Sequence, residues 1–193
     1  MSERAPIPAD IASSIKLVIL DVDGVMTDGG VYLGETGAGE AIELKRFEIT
    51  DGLGIRLLKQ AGVEVAIVTG RRSRVVTTRA RELGIAEVHQ DPQAAKLRIV
   101  QRLLERNGID WAQTACLGDD LADMPVLRRV ALPVAVSNAV PEVATLARWH
   151  TSRAGGSGAV REFAEALLKA RGAWESAVAA YLREREESAD GAP

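Results

Sequence analysis

Residues 16–30, "KLVILDVDGVMTDGG", set four apolar residues, Leu17 to Leu20, directly against Asp21, Asp23 and Asp28, with Gly24, Gly29 and Gly30 among them. The short β-rich run is what a strand buried on both faces looks like. Scattered acids would suit a surface loop. Two carboxylates at i and i+2 of an extended chain instead point to one side. In a parallel sheet, ligands bind beyond the carboxyl ends of the strands. Asp21 and Asp23 therefore stand where such a fold would place a site.

Outward from this run, short β-rich segments alternate with helical patterns, the rhythm of βαβ units. "VEVAIV" (63–68), "AEVH", "TACLG", "LPVAV" and a last edge segment "RWHT" read as strands. Helical patterns fall in "DGLGIRLLKQAG", "RSRVVTTRARELG", "MPVLRRV", "PEVATLA" and "GAVREFAEALLKA". "PQAAKLRIVQRLLERNG" reads as an amphipathic helix with Pro near its start and Gly after its end. Residues 29–49 break the rhythm and predict a β-hairpin around a Gly-rich turn. The expected fold class is α/β: a Rossmann-like parallel sheet with helices on both faces, a projecting β-hairpin and no large cap domain. Residues 1–14 read as a flexible lead-in, 15–185 as a single domain, and 186–193 as a polar tail after a fraying helix.

The chain has 193 residues and a net charge of −3 from 24 basic and 27 acidic side chains, so it shows no footprint for nucleic acid or an anionic membrane. No stretch approaches the roughly 20 apolar residues of a membrane span. The first residues lack a signal-peptide core. The single cysteine, Cys116, excludes a disulfide framework and suits a reducing, cytoplasmic setting.

Polar residues gather at the apparent strand ends. Asp21 and Asp23 follow the first strand; Thr69, Gly70 and Arg71 follow the second; Asp119, Asp120 and Asp123 follow "CLG"; Lys96 lies on a helix. Two carboxylates about 4 Å apart repel by about 4 kcal/mol at an effective dielectric of about 20. That raises one pKa by about three units. A hard divalent cation resolves the conflict, and oxygen ligands without His or Cys favour Mg²⁺. Mg²⁺ held by few carboxylates commonly takes a substrate phosphate, for which Thr69 and Lys96 supply a hydroxyl and a cation. Plainer roles stand beside these. Asp28 suits a turn, Asp120 a helix cap, Ser157 of "GGSG" either a cap or an anion loop, and His89 and His150 structural positions. Arg161 lies in a helix's first turn, where a cation is disfavoured, which points to a role in the site or an interface.

"DVDGV", "TGR", a downstream Lys and "GDDLADMP" resemble, in order, the four motifs of the haloacid dehalogenase superfamily. "DVDGVMTDGGVYL", "DGLGIRLLKQAGVEVAIVTGR", "GDDLADMPVLRRVALPVAVSNA" and "GGSGAVREFAEALL" resemble more closely its sugar-acid phosphate phosphatases. The resemblance implies Asp21 as nucleophile and Asp23 as general acid, then base. It implies Mg²⁺ on the Asp21 carboxylate, the Asp23 backbone carbonyl and Asp119, with Asp120 and Asp123 supporting. It places Thr69, Gly70 and Lys96 at the phosphate, and leaves Arg71, Ser157 and Arg161 as substrate or interface candidates. The implied substrate is octulosonate 8-phosphate, on the way to a lipopolysaccharide sugar, with a nonulosonate 9-phosphate as the alternative. A non-catalytic oligomerising module is the alternative of another class, and it should have lost its acids. Thr50 and Ser157 stand where the family commonly carries basic residues; Lys45 and Arg46 of the hairpin are candidate replacements. With only a hairpin inserted, an open site needs a bulky substrate or a neighbouring subunit to cover it. The resemblance implies a homotetramer assembled through residues 29–49, whose apolar Val31, Leu33, Ile42 and Leu44 would be hazardous on a monomer.

Overall fold

The structure is a computed structural model that describes residues 6–190, with side chains through residue 187. β1 (Leu17–Leu20) lies at the centre of a six-stranded sheet in the order β5–β4–β1–β6–β7–β8. The other strands are β4 (Glu64–Thr69), β5 (Glu87–Gln90), β6 (Thr114–Gly118), β7 (Leu132–Ala135) and β8 (Trp149–His150); β4 and β6 flank β1, and every pairing is parallel. The two-residue period explains why β1 is apolar throughout. Val18 and Leu20 face one helical layer, while Leu17 and Ile19 face the other.

The first layer holds α1 (Ala9–Ser14), α2 (Ile49–Gln60), α3 (Arg74–Glu82), α7 (Ala159–Ala170) and α8 (Trp174–Asp190). Its densest contact is α2 on α7, where Gly54 lets the backbones approach: a Cβ there would lie 2.9 Å from the Arg161 Cα. The second layer holds α4 (Lys96–Asn107), α5 (Met124–Leu127) and α6 (Pro141–Leu146). The chain runs from β1 outward to β4 and β5, then returns to β6 on the other side of β1. That reversal is the crevice where an open α/β sheet binds ligands. No helix among the described residues is long and apolar enough to cross a membrane.

Residues 29–49 contain the expected hairpin, β2 (Tyr32–Glu35) paired antiparallel with β3 (Ala41–Leu44). Leu33 is 79% and Leu44 62% exposed, so the hairpin presents apolar side chains outward.

The structure departs from three expected boundaries. In the stretch read as a flexible lead-in, residues 9–14 form α1, and Ile7 and Ala12 enter the core; residues 1–5 of that reading lie outside the described residues. The helix expected from Pro92 begins at Lys96. Asp91 accepts bonds from the Gln93 and Ala95 N–H groups (3.0 and 3.3 Å), and Ala94 takes φ +50°, so the approach is a turn. The last helix runs to Asp190, past residue 186 where the polar tail was expected to start; residues 191–193 of the tail lie outside the described residues.

Candidate active site

Asp21 directly follows β1 with its side chain 9% exposed, because the strand before it is covered on both faces. The loop that follows turns sharply at Gly24, whose φ is +93°. A Cβ on Gly24 would sit 2.0 Å from the Asp119 Oδ2, so only glycine lets the β6 carboxylate reach this close. Asp119 follows Gly118 at the end of β6, the strand hydrogen-bonded beside β1.

Lys96 opens α4 and reaches into the centre with its side chain 6% exposed. Its Nζ donates to Asp21 Oδ1 at 2.6 Å and to Asp123 Oδ1 at 2.7 Å. Gly70 admits the turn that aims it: a Cβ there would approach the Ala94 Cβ to 3.3 Å. Asp123 is 2% exposed and accepts through Oδ2 from the Asp119 and Asp120 N–H groups, at 3.1 and 3.4 Å. It therefore ties Lys96 to the β6 loop. Carboxylate oxygens of Asp21, Asp119 and Asp123 lie within 4.8 Å of one another. Asp119 Oδ1 is buried and has no partner among the described residues.

Burial first, then the Asp123 charge, pushes Asp21 up to about 7 against the pull of Lys96. Asp119 also rises to about 7, from burial first and then from Asp21, Asp123 and Asp120. Burial works against the Lys96 ammonium, but Asp21 and Asp123 more than offset it and hold it above the ordinary lysine range. One buried cation thus stands among three crowded acids. An orphaned carboxylate oxygen and an oxygen-only donor set fit a hard divalent ion such as Mg²⁺. Thr69 ends β4 level with the loop after β1, since Leu20 pairs with Ile67. It is 2% exposed, and its hydroxyl has no hydrogen-bond partner among the described residues.

Asp23 stands apart from this triad. Its carboxylate leaves the acids and takes Lys45 Nζ on Oδ1, with Arg71 Nε 3.6 Å from Oδ2. Arg71 also approaches Glu43 of the hairpin at 3.5 Å. Asp28 accepts from the Gly30 N–H at 3.0 Å, the bond of a turn. Asp120 is exposed and accepts from the Leu121 N–H at 2.6 Å, so it caps the following turn.

The glycine loop packs directly on the loop after β1. Gly156 N–H donates to the Val25 carbonyl at 3.2 Å, and a Cβ on Gly155 would collide with the Gly24 carbonyl at 1.8 Å. Asn138 bridges the two loops, donating to the Gly24 carbonyl at 3.0 Å and accepting from the Gly155 N–H at 2.7 Å. Ser157 is exposed at the tip, and Arg46 donates to the Gly156 carbonyl at 2.7 Å.

Arg161 is not part of the cluster. Its guanidinium lies 5.2 Å from the Trp174 ring, toward α8, while its N–H donates to Asp51 Oδ1 at 2.8 Å. Asp51, 3% exposed on α2, thereby caps α7 and relieves the helix start that a cation would otherwise disfavour. Its Oδ2 is buried without a hydrogen-bond partner among the described residues. Burial above all, with Glu48 adding and the Arg161 N–H opposing, lifts Asp51 to about 6 from 3.8. Between those values the native state binds more protons than the unfolded chain, so this group's contribution to stability falls as pH rises. Asp51→Asn keeps the cap oxygen and is expected to stabilise the protein by about 1–3 kcal/mol at pH 8. That gain should disappear by pH 4, which thermal unfolding of both proteins across this range would check.

Sequence reasoning left Asn138, Asp51 and the Lys45 contact with Asp23 without these roles. "VSNA" beside the last motif was the available signal for Asn138.

Residues 89–163 match the family of haloacid dehalogenase-like hydrolases. The chain is 44% identical over 175 residues to the 3-deoxy-D-manno-octulosonate 8-phosphate phosphatase of Escherichia coli K12, covering 89% of this chain and 90% of that one. The solved phosphatase of that name from Moraxella catarrhalis, in complex with magnesium ion, phosphate ion and KDO, superposes with a TM-score of 0.83 at 37% identity, covering 90% of this chain and 97% of that one. The Yersinia pestis enzyme gives a TM-score of 0.81 at 43% identity, over 86% and 88% of the two chains.

Proposed function

Because the chain belongs to the haloacid dehalogenase-like hydrolases, in the family of the 3-deoxy-D-manno-octulosonate 8-phosphate phosphatases, we propose that it hydrolyses that eight-carbon keto-deoxy sugar phosphate to the free sugar acid and phosphate. The observation that carries this reading is the buried cluster at the reversal of the sheet: Asp21 and Asp123 clamped on Lys96, with Asp119 beside them.

Mg²⁺ would be held by Asp21 and Asp119, with the Asp23 carbonyl as a further donor and Asp123 behind them; when bound it neutralises the acids and draws off charge from the phosphoryl oxygens. Lys96 has three N–H donors and spends two on Asp21 and Asp123, which leaves one for a phosphoryl oxygen. The free Thr69 hydroxyl supplies a second donor. An Asp21 carboxylate oxygen attacks phosphorus as the bond to the sugar oxygen breaks, and Asp23 gives that oxygen its proton. Asp23 then takes a proton from a water that attacks the phosphorus of phospho-Asp21. Phosphate leaves, and both aspartates return to their starting state. The intact acids oppose the reading as a non-catalytic module.

The hairpin supports a homotetramer in which neighbouring subunits cover the open site, since its apolar residues otherwise lie in water. Leu33→Lys is expected to lower the sedimentation mass from four chains toward one, and unchanged mass would remove the hairpin as the contact. The lone buried Cys116 fits a cytoplasmic setting.

The direct test is phosphate release from octulosonate 8-phosphate and a nonulosonate 9-phosphate, each with Mg²⁺ or chelator. Preference of ten-fold or more for the eight-carbon acid, abolished by chelation, is expected. Preference for the nine-carbon acid would overturn the substrate, and release indifferent to chelator would overturn the mechanism.

A further inference from the structure

We propose that Lys45 is a positioning residue for Asp23, acting from the base of the hairpin to fix one carboxylate oxygen so that the other faces the departing sugar oxygen. The inference rests on the reading of Asp23 as the proton donor. Lys45 follows β3, whose Ile42 and Leu44 are 42% and 62% exposed, yet its own side chain is completely buried. Lysine is almost never buried without a charged partner. Here the partner is the Asp23 Oδ1.

The contact belongs to a closed ring of four alternating charges. Lys45 Nζ bonds Asp23 Oδ1 and lies 3.8 Å from Glu43 Oε1. Arg71 Nε lies 3.6 Å from Asp23 Oδ2, and its Nη2 lies 3.5 Å from the same Glu43 oxygen. The ring is unequal around Asp23. Oδ1 is held by a wholly buried ammonium, whereas Oδ2 faces a guanidinium that is 53% exposed and beyond hydrogen-bond distance. Oδ2 is thus the oxygen a substrate can reach, and the one from which a proton can pass to the leaving oxygen as the phosphorus–oxygen bond breaks. A contact needed only to tie down the hairpin could lie on the surface, where an ion pair is not penalised by desolvation. This one is buried against the proton donor.

The test separates orientation of Asp23 from a general structural role by varying the leaving group. An alkyl phosphate needs its departing oxygen protonated; p-nitrophenyl phosphate departs as a stable anion and does not. Lys45→Met is expected to lose about 10²-fold in kcat on octulosonate 8-phosphate and at most about threefold on p-nitrophenyl phosphate. Glu43→Gln keeps Lys45 but loosens the ring, and is expected to show a smaller loss of the same kind. Equal losses on both substrates, or no loss on either, would overturn the proposal. If Lys45→Met does not fold, the same criterion applies to Glu43→Gln alone. Wild-type enzyme active on the aryl phosphate but inert on the sugar acid would instead overturn the substrate reading, and the comparison of variants then runs on glycerol 3-phosphate as the alkyl substrate.

Discussion

Asp21→Asn is expected to fold, to bind phosphate and to lose on the order of 10⁴-fold or more in kcat. An amide matches the carboxylate in shape but offers no anionic oxygen to attack phosphorus, so the loss falls on the first chemical step. Lys96 keeps its 2.7 Å bond to Asp123, and the cluster keeps a cation between its remaining acids. Burial and the Asp123 charge already disfavour the Asp21 charge. Removing that charge should therefore leave the metal-free protein no less stable than wild type at pH 8. The check pairs thermal unfolding with quenched single-turnover reactions that look for acid-stable phosphate on the protein. Wild type should show it and the variant should not. A variant turning over at near wild-type rate would remove Asp21 as the nucleophile and the phospho-enzyme with it.

How much of this was legible beforehand follows from the range over which each interaction acts. The strand ending in Asp21 could be read because both its burial and its i, i+2 acids are local properties of one short segment. Thr69, Lys96 and Asp119 could be read because a parallel sheet brings all its carboxyl ends to one edge. Asp123 was given a supporting role, whereas the structure puts it at the hinge between Lys96 and the β6 loop. The partners of Asp23 were not legible, since Lys45 reaches it from 22 positions away through a hairpin whose docking no local pattern encodes. Arg161 was given a role in the site or an interface from its helix position alone. Its cost there is relieved by Asp51 from 110 positions away, a long-range cap invisible to propensity. The helix expected from Pro92 starts only at Lys96 for a local reason, because Asp91 offers the backbone a competing turn.

Lys96→Met should show what the cation does when no metal is present. It removes the ammonium that pairs with Asp21 and Asp123 and leaves those buried carboxylates without that cation. Breaking a buried pair in this way costs about 3–5 kcal/mol. The loss should depend on pH in a defined direction. Asp21 and Asp119 titrate near 7 in the folded protein and at 3.8 as free side chains. Between those values the folded state holds more protons, so stability falls as pH rises, and without Lys96 both groups move higher and the fall steepens. The variant should therefore be most destabilised at pH 8 and regain much of its stability by pH 5. Mg²⁺ should restore it at pH 8 as well, because a divalent cation held by the same acids would offset the same repulsion, while phosphatase activity stays lost for want of the Lys96 donor. Denaturant unfolding at pH 5 and pH 8, with and without Mg²⁺, checks all three. Equal destabilisation at both pH values, unmoved by Mg²⁺, would mean that Lys96 is held for packing and that the acids do not form a cation site.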